Sequence, residues 1–334
     1  MNAAPPSSDI TSLRNVLANH QHLPMAARTA INAFLAKLQQ LQHRDNRSGT
    51  SGFEREYRKI CFSVDKAPGY DDALTPQTKA TKAKNRYRDV LPIEKTRVKL
   101  LRQSDDYINA NYIDGGYIAC CAPVPAAIRD FWHMIWQCHV HVILMLTNFV
   151  EQERVKADIY WDPKGLELDF DGVQVKVLDE SHHSGFLVRR FKVWKIDKQG
   201  VEIESRIIQH IQLTTWPDHG VLHDYQVIAP MLDAVNSYCT KTSRQYHVDT
   251  RIVVHCSAGI GRSGTFIAID ILLKRLNQIL TSSDCSTQAM EMALDIPKVV
   301  HRLRSQRPGM VQTPEQYQMI YEYLAAVLSD NKPW

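Results

Sequence analysis

The sequence predicts a mixed α/β (α+β) fold: one large β-sheet flanked by helices, preceded by short N-terminal helices. Three observations carry that expectation. Strand-like runs and helical patterns alternate irregularly from residue 97 to residue 328. The stretch 165–213 reads as an almost continuous β-meander, with period-two alternation at Val173, Val175 and Val177. Hairpins lying between helical segments argue for a mixed sheet over a purely parallel one. No internal repeat interrupts this reading.

In chain order, residues 1–8 are small and proline-rich and read as a disordered N-terminus. Residues 9–42 read as a helical extension, because Ile31, Phe34, Leu35, Leu38 and Leu41 recur at spacings of three and four and Pro24 divides the segment in two. Residues 43–52 (HRDNRSGTSG) read as a linker, and 53–330 as one large domain. Its strands are expected at Arg97–Leu101, Tyr107–Ile113, His139–Leu146, Val173–Val177, Phe186–Ile196, Val201–Leu213 and Arg251–His255. Its helices are expected at Ala126–Gln137, Tyr225–Thr240, Ser263–Leu280, Ile296–Arg304 and Pro314–Leu328.

Composition excludes several classes. The chain has 334 residues, 44% hydrophobic and 23% charged, and its 14 Gly and 15 Pro exclude collagen-like and low-complexity proteins. A net charge of +4 is too small to argue for nucleic acid, and suits an acidic or phosphorylated partner equally well. Seven cysteines without paired spacing fit a reducing compartment better than a disulfide framework. The opening MNAAPPSSDITSL has no basic region and no apolar run, so no secretory signal is read and a cytoplasmic location is expected. The longest stretch free of Asp, Glu, Lys and Arg, Phe131 to Val150, is long enough to span a bilayer. It holds His133, Gln137, His139, His141, Thr147 and Asn148, and reads as a helix end followed by a buried strand.

The chemistry concentrates in Arg251-Ile-Val-Val-His255-Cys256-Ser257-Ala258-Gly259-Ile260-Gly261-Arg262-Ser263-Gly264-Thr265. A buried strand leads into a glycine-rich turn, and a long helix opens at Ser263, a geometry that aims backbone N–H groups and a helix dipole at an anion. Gly259-x-Gly261-x-x-Gly264 matches a dinucleotide fingerprint, but no acidic residue ends a second strand twenty residues on. Gly259-x4-Gly264 matches a phosphate-binding loop that lacks its lysine. Cys256-x5-Arg262 followed by Ser263 accounts for every residue type. The amides of Ser257, Ala258, Gly259, Ile260 and Gly261 would bind a phosphate dianion, with Arg262 taking two oxygens. The same groups would lower the Cys256 thiol pKa and place a thiolate for in-line attack. Ser263 and Thr265 could donate to the leaving thiolate, and His255 could hold the loop through backbone.

This loop resembles the signature of the phosphotyrosine-specific, cysteine-dependent protein tyrosine phosphatases of non-receptor type, and the resemblance runs from residue 53 to residue 328. Lys84-Asn-Arg-Tyr87-Arg-Asp89-Val resembles the family's phosphotyrosine-recognition loop. Asp130-Phe-Trp-His-Met-Ile-Trp136 resembles its core helix, Thr214-Thr-Trp216-Pro217-Asp218-His-Gly220 its mobile acid loop, and Arg307-Pro-Gly-Met-Val-Gln312-Thr313 with Gln316 its water-positioning loop. The resemblance implies one catalytic domain with a highly twisted mixed sheet, no metal or organic cofactor, and proteins bearing phosphotyrosine as partners. A monomer is expected.

It also implies roles. Asp218 would protonate the tyrosine leaving group, with Trp216 stiffening the hinge of its loop and Lys156 supporting that loop. Gln312 and Gln316 would orient the hydrolytic water. Tyr87 would stack on the substrate ring, Asp89 would fix substrate backbone amides, and Arg88 would favour acidic flanking residues. The alternative is a dual-specificity or phosphoinositide phosphatase, but the loop lacks the lysines that lipid-directed enzymes carry. Cys120-Cys121-Ala122 departs from the family's usual Thr-Gln-Gly and brings two thiols near the site, so Cys121 is a candidate trap for oxidised Cys256. Cys138-His-Val-His141 lacks further metal ligands and reads as core histidines.

Overall fold

The computed structural model describes residues 10–17, 22–101, 105–197, 199–216, 222, 225–246, 250–282 and 285–329. The helices are α1 (Ile10–Leu17), α2 (Met25–Gln42), α3 (Gly52–Asp65), α4 (Lys79–Ala83), α5 (Ile128–Gln137), α6 (Ile228–Tyr246), α7 (Gly261–Leu280), α8 (Thr287–Ala293), α9 (Ile296–Gln306) and α10 (Pro314–Leu328). The strands are β1 (Arg97–Lys99), β2 (Tyr107–Ile113), β3 (Tyr117–Cys120), β4 (Val140–Met145), β5 (Val150–Glu151), β6 (Arg154–Val155), β7 (Leu168–Asp169), β8 (Val173–His183), β9 (Phe186–Ile196), β10 (Glu202–Leu213) and β11 (Arg251–His255).

Among the described residues, nine strands form one sheet in the order β1-β2-β3-β11-β4-β10-β9-β8-β7. The central strands β3, β11, β4 and β10 are parallel, and all other neighbours are antiparallel. The sheet is therefore mixed, with the meander as its antiparallel half. Strand β11 lies between two parallel partners, and its middle residues Ile252–Val254 are apolar because both of its faces are covered. Ile252 and Val254 enter one buried cluster with Phe266, Leu272 and Tyr317, while Val253 enters the other with Phe131, Trp132 and Tyr160.

The N-terminal helices join the first of these clusters through Leu13, Leu17, Ala27, Ile31 and Phe34. Phe34 stacks on Tyr321 of α10 with ring centres 5.7 Å apart, and Arg14 pairs with Asp233 of α6 at 3.1 Å. Residues 43–51 form a tight turn in which the Asp45 carboxylate accepts from Arg47 N and Ser48 N, and Ser51 caps α3 by accepting from Glu54 N. The uncharged stretch 131–150 is the end of α5 followed by buried β4. No helix among the described residues is long and apolar enough to cross a membrane.

Candidate active site

Strand β11 delivers Cys256 to the carboxyl edge of the parallel strands, and the chain turns through 256–260 directly into α7. The helix begins at Gly261, two residues before the expected Ser263, so Arg262 stands in its first turn. Gly259 has φ +70°, and a Cβ there would sit 1.9 Å from the Cys120 carbonyl oxygen, so only glycine fits. A Cβ on Gly264 would lie 2.4 Å from Val311 N, which lets α7 pack directly on the 309–312 turn.

Every carbonyl from 255 to 260 is claimed by a donor outside the loop's concave face. His255 O accepts from Leu146 N (2.8 Å), Ser257 O from Ala122 N (3.0 Å), and Ile260 O from Gly264 N and Val311 N (2.9 and 3.1 Å). Cys256 O meets the His255 ring Nδ1 at 3.1 Å. Ala258 O accepts from Arg307 Nη2 (3.0 Å) and the Cys121 thiol (3.2 Å), and Gly259 O from Arg307 Nε (2.9 Å). In a planar trans peptide the C=O and N–H point oppositely, so turning the carbonyls out turns the amides in. The Ser257 hydroxyl is spent on Lys156 O at 2.7 Å.

Burial pushes the Cys256 thiol up. The Arg262 charge outweighs it, together with the Ser263 side chain and the Ser263 and Gly259 amides beside it, so the thiol lies below its ordinary value. Thr265 does not share this task, because its hydroxyl donates to Gly261 O. Arg262 is buried and held by Leu146 O (2.9 Å) and by both Glu151 carboxylate oxygens (2.8 and 2.5 Å). Burial raises the Glu151 carboxyl, but Arg262, the Asn148 amide and the Thr147 hydroxyl hold it below its usual range.

The other expected residues gather around this loop. The half-buried Tyr87 meets the Ser257 Oγ through its hydroxyl at 2.8 Å, while Arg88 and Asp89 beside it are exposed. Gln312 and Gln316 converge over Gly261, where a Cβ would lie 3.0 Å from Gln312 Oε1 and Gln316 Nε2. Gln316 Oε1 accepts from Gln312 N. Lys156 and Trp216 are buried. Thr214, at the base of the expected acid loop, donates to Gly185 O. Asp218, like Pro217 and Gly220, lies outside the described residues.

Sequence reasoning gave no role to Glu151, Arg307, Arg86 or Tyr160. Glu151 and Arg307 hold the loop as described, and Arg86 ties the Tyr87 segment to Ala122 O, Pro123 O and Asp158. Cys120 and Cys121, the two thiols expected near the site, are both buried. Of the two histidines expected in the core, His141 is buried, whereas His139 is exposed in a left-handed turn at φ 52°. No group of three or more His, Cys, Asp or Glu that could hold a metal occurs among the described residues.

Comparison with known proteins agrees with this geometry. A family model described as protein-tyrosine phosphatase matches residues 81–326. Receptor-type tyrosine-protein phosphatase eta of Gallus gallus is 36% identical over 290 residues, covering 84% of this chain and 19% of that protein. Tyrosine-protein phosphatase 3 of Dictyostelium discoideum is 36% identical over 257 residues, 74% of this chain and 25% of that protein. Tyrosine-protein phosphatase non-receptor type 20 of Mus musculus is 34% identical over 269 residues, 78% of this chain and 57% of that protein. The chain thus spans about a fifth of the length of the receptor-type relatives it matches. From the loop geometry and these matches together, the chain belongs to the protein-tyrosine phosphatase family.

Proposed function

We propose that this chain hydrolyses phosphotyrosine in proteins through a phosphocysteine intermediate. The observation that carries the proposal is the loop whose six successive carbonyls, 255 to 260, are all drawn outward around a thiol of lowered pKa. The inward amides and Arg262 hold the phosphate, and Cys256 Sγ attacks phosphorus as the tyrosine oxygen leaves. Asp218 gives that oxygen its proton. A water placed by Gln312 and Gln316 then attacks phosphorus, returning its proton to Asp218 and releasing the thiolate, which the Ser263 hydroxyl stabilises. The recognition wall is Tyr87, with Asp89 on the substrate backbone and Arg88 facing acidic residues. Lys156 and Trp216 support the acid loop. No step uses a metal or organic cofactor.

The reading extends to a monomeric signalling enzyme of the cytoplasm that acts on phosphoproteins and not on nucleic acid, with Cys256 open to reversible peroxide oxidation. Turnover of a phosphotyrosine peptide, set beside matched phosphoserine peptides and phosphoinositides, tests it. Strong preference for phosphotyrosine is expected. Equal phosphoserine or faster phosphoinositide turnover replaces the reading with the dual-specificity or lipid one.

A further inference from the structure

Five side chains, all buried, lie end to end behind the phosphate loop: Arg189 on β9, His210 and Gln212 on β10, Tyr160, and His255 at the end of β11. Arg189 Nη1 approaches His210 Nδ1 at 3.5 Å. His210 Nε2 and His255 Nε2 lie 2.8 and 2.9 Å from the Tyr160 hydroxyl on its two sides, and His255 Nδ1 lies 3.1 Å from Cys256 O. A carbonyl only accepts and a guanidinium only donates, so the two ends of the chain fix its direction. From the Cys256 end, His255 must carry its proton on Nδ1, which leaves Nε2 as an acceptor. Tyr160 then donates to His255 and accepts from His210 Nε2–H. That leaves the His210 Nδ1 lone pair facing Arg189, a donor, so both ends give one assignment. Burial holds both histidines below their ordinary value, His255 at about 4, and keeps both imidazoles neutral.

Arg189 also reaches the site by a second route. Its Nη1 donates to Gln212 Oε1 (2.8 Å), and Gln212 Nε2 donates to Thr147 O (3.1 Å). The Thr147 hydroxyl donates to Glu151 Oε1 (3.0 Å), which chelates Arg262. At its outer end Arg189 Nε pairs with Glu180 at 2.5 Å.

We propose that Arg189 and His210 are positioning residues for the phosphatase reaction, an inference that rests on the function proposed above. Through Tyr160 they impose on His255 the one tautomer whose Nδ1–H faces the Cys256 carbonyl, and through Gln212 they steady the segment that carries the counter-ion of Arg262. Pinning the Cys256 carbonyl on His255 turns the Ser257 N–H the opposite way, toward the anion. A His255 flipped to its other tautomer would set a lone pair against that carbonyl and rotate the peptide.

The test is the pH dependence of Cys256 alkylation by iodoacetamide, followed by peptide mapping, in His210→Leu, Tyr160→Phe, the double variant and His210→Gln. Melting temperature and aryl phosphate kinetics are measured in parallel. His210→Leu and Tyr160→Phe should each move the alkylation midpoint up by about half to one pH unit and lower kcat/KM by about tenfold, the worth of one hydrogen bond of about 1.4 kcal/mol. The double variant should be no worse than either single one, because the links act in series. His210→Gln should return to within about twofold of the parent, since its amide can donate to Tyr160 and accept from Arg189. Lower melting temperatures with an unmoved alkylation midpoint, or additive effects in the double variant, would overturn the inference. Should His210→Leu fail to fold, Tyr160→Phe against His210→Gln decides it. Alkylation needs no turnover, so a parent protein inactive on phosphotyrosine would refute the proposed reaction while the alkylation series still judges the relay.

Discussion

Replacing Arg307 with methionine isolates what holds the phosphate cradle from beneath. The guanidinium is fully buried and donates to Gly259 O (2.9 Å), Ala258 O (3.0 Å), Asn111 Oδ1 (2.8 Å) and Asn109 Oδ1 (3.0 Å). Hydrogen bonds to a charged group contribute about 1.5–3 kcal/mol each. The two asparagines can turn toward other partners, whereas the two loop carbonyls cannot leave the backbone. Counting only those two gives a loss of about 3–6 kcal/mol, a large part of the about 5–15 kcal/mol of a typical domain. Freed carbonyls also let the amides of Gly259 and Ile260, which share their peptide planes, wander, and losing one preorganised donor at an oxyanion costs about 10²–10³ in rate. Arg307→Met should therefore lower the urea midpoint, weaken vanadate binding and reduce kcat/KM by about 10²-fold. Arg307→Lys keeps the charge but can reach one carbonyl at most, so it should fall between. Parental kcat/KM and vanadate affinity in Arg307→Met would refute the reasoning. A fully active Arg307→Lys would show that charge, and not the forked donor geometry, is what the loop requires.

Cys256→Ser should abolish turnover while retaining phosphopeptide binding, because the amides and Arg262 remain; residual activity comparable to the parent removes Cys256 as nucleophile. Asp218→Ala should lower kcat by about 10²–10⁴-fold on phosphotyrosine, with a smaller loss on aryl phosphates whose leaving group needs no proton; equal losses on both classes would contradict an acid role. Stability should fall with acidification between pH 6.5 and about 4. Burial depresses His255 from 6.5 to about 4, so the unfolded chain takes up a proton in this window that the folded one refuses. That difference is worth about 3 kcal/mol by pH 4. Urea midpoints unchanged across that window would show that His255 titrates normally in the fold.

Legibility followed how much of each element's signal is local. Tyr107–Ile113, Phe186–Ile196, Arg251–His255 and Pro314–Leu328 stand at the expected residues because alternation or helical spacing persists to both ends. Strand β8 runs on to His183, six residues past the expected Val177, since from Leu178 onward it leaves the core and its alternation disappears. Strand β3 went unread because Tyr117–Cys120 is buried on every residue and so carries no period. Helix α3 was hidden in the sequence by Gly52 at its start, although Ser51 is a proper cap. At the site, loop residues contiguous in sequence were readable, whereas Glu151, Tyr160 and Arg307 reach it from separate elements and carry no local mark. Their partners are backbone oxygens and single side chains, which spacing along one chain does not reveal.

The charges around the loop argue for a single phosphate. Arg262 is neutralised by the Glu151 that chelates it. The oxygen partners of Arg307 are all neutral, and no carboxylate pairs with it among the described residues. Its positive charge acts against burial on the thiols of Cys120 and Cys121, whereas the charge acting on Cys256 is that of Arg262. Binding of an arriving dianion then falls to the inward amides and Arg262. Such a cradle is sized for one phosphoryl group, because amides act only at hydrogen-bond range. A ligand with several phosphates would need further cations inside the turn, and Ser257 to Gly261 supply none. What remains to discriminate substrates is the wall, where the Tyr87 hydroxyl is tied to Ser257 and its ring is thereby fixed at the rim. An aromatic wall at a fixed distance from the phosphate site favours an aryl ester over a shorter alkyl one, the selectivity that the peptide comparison measures.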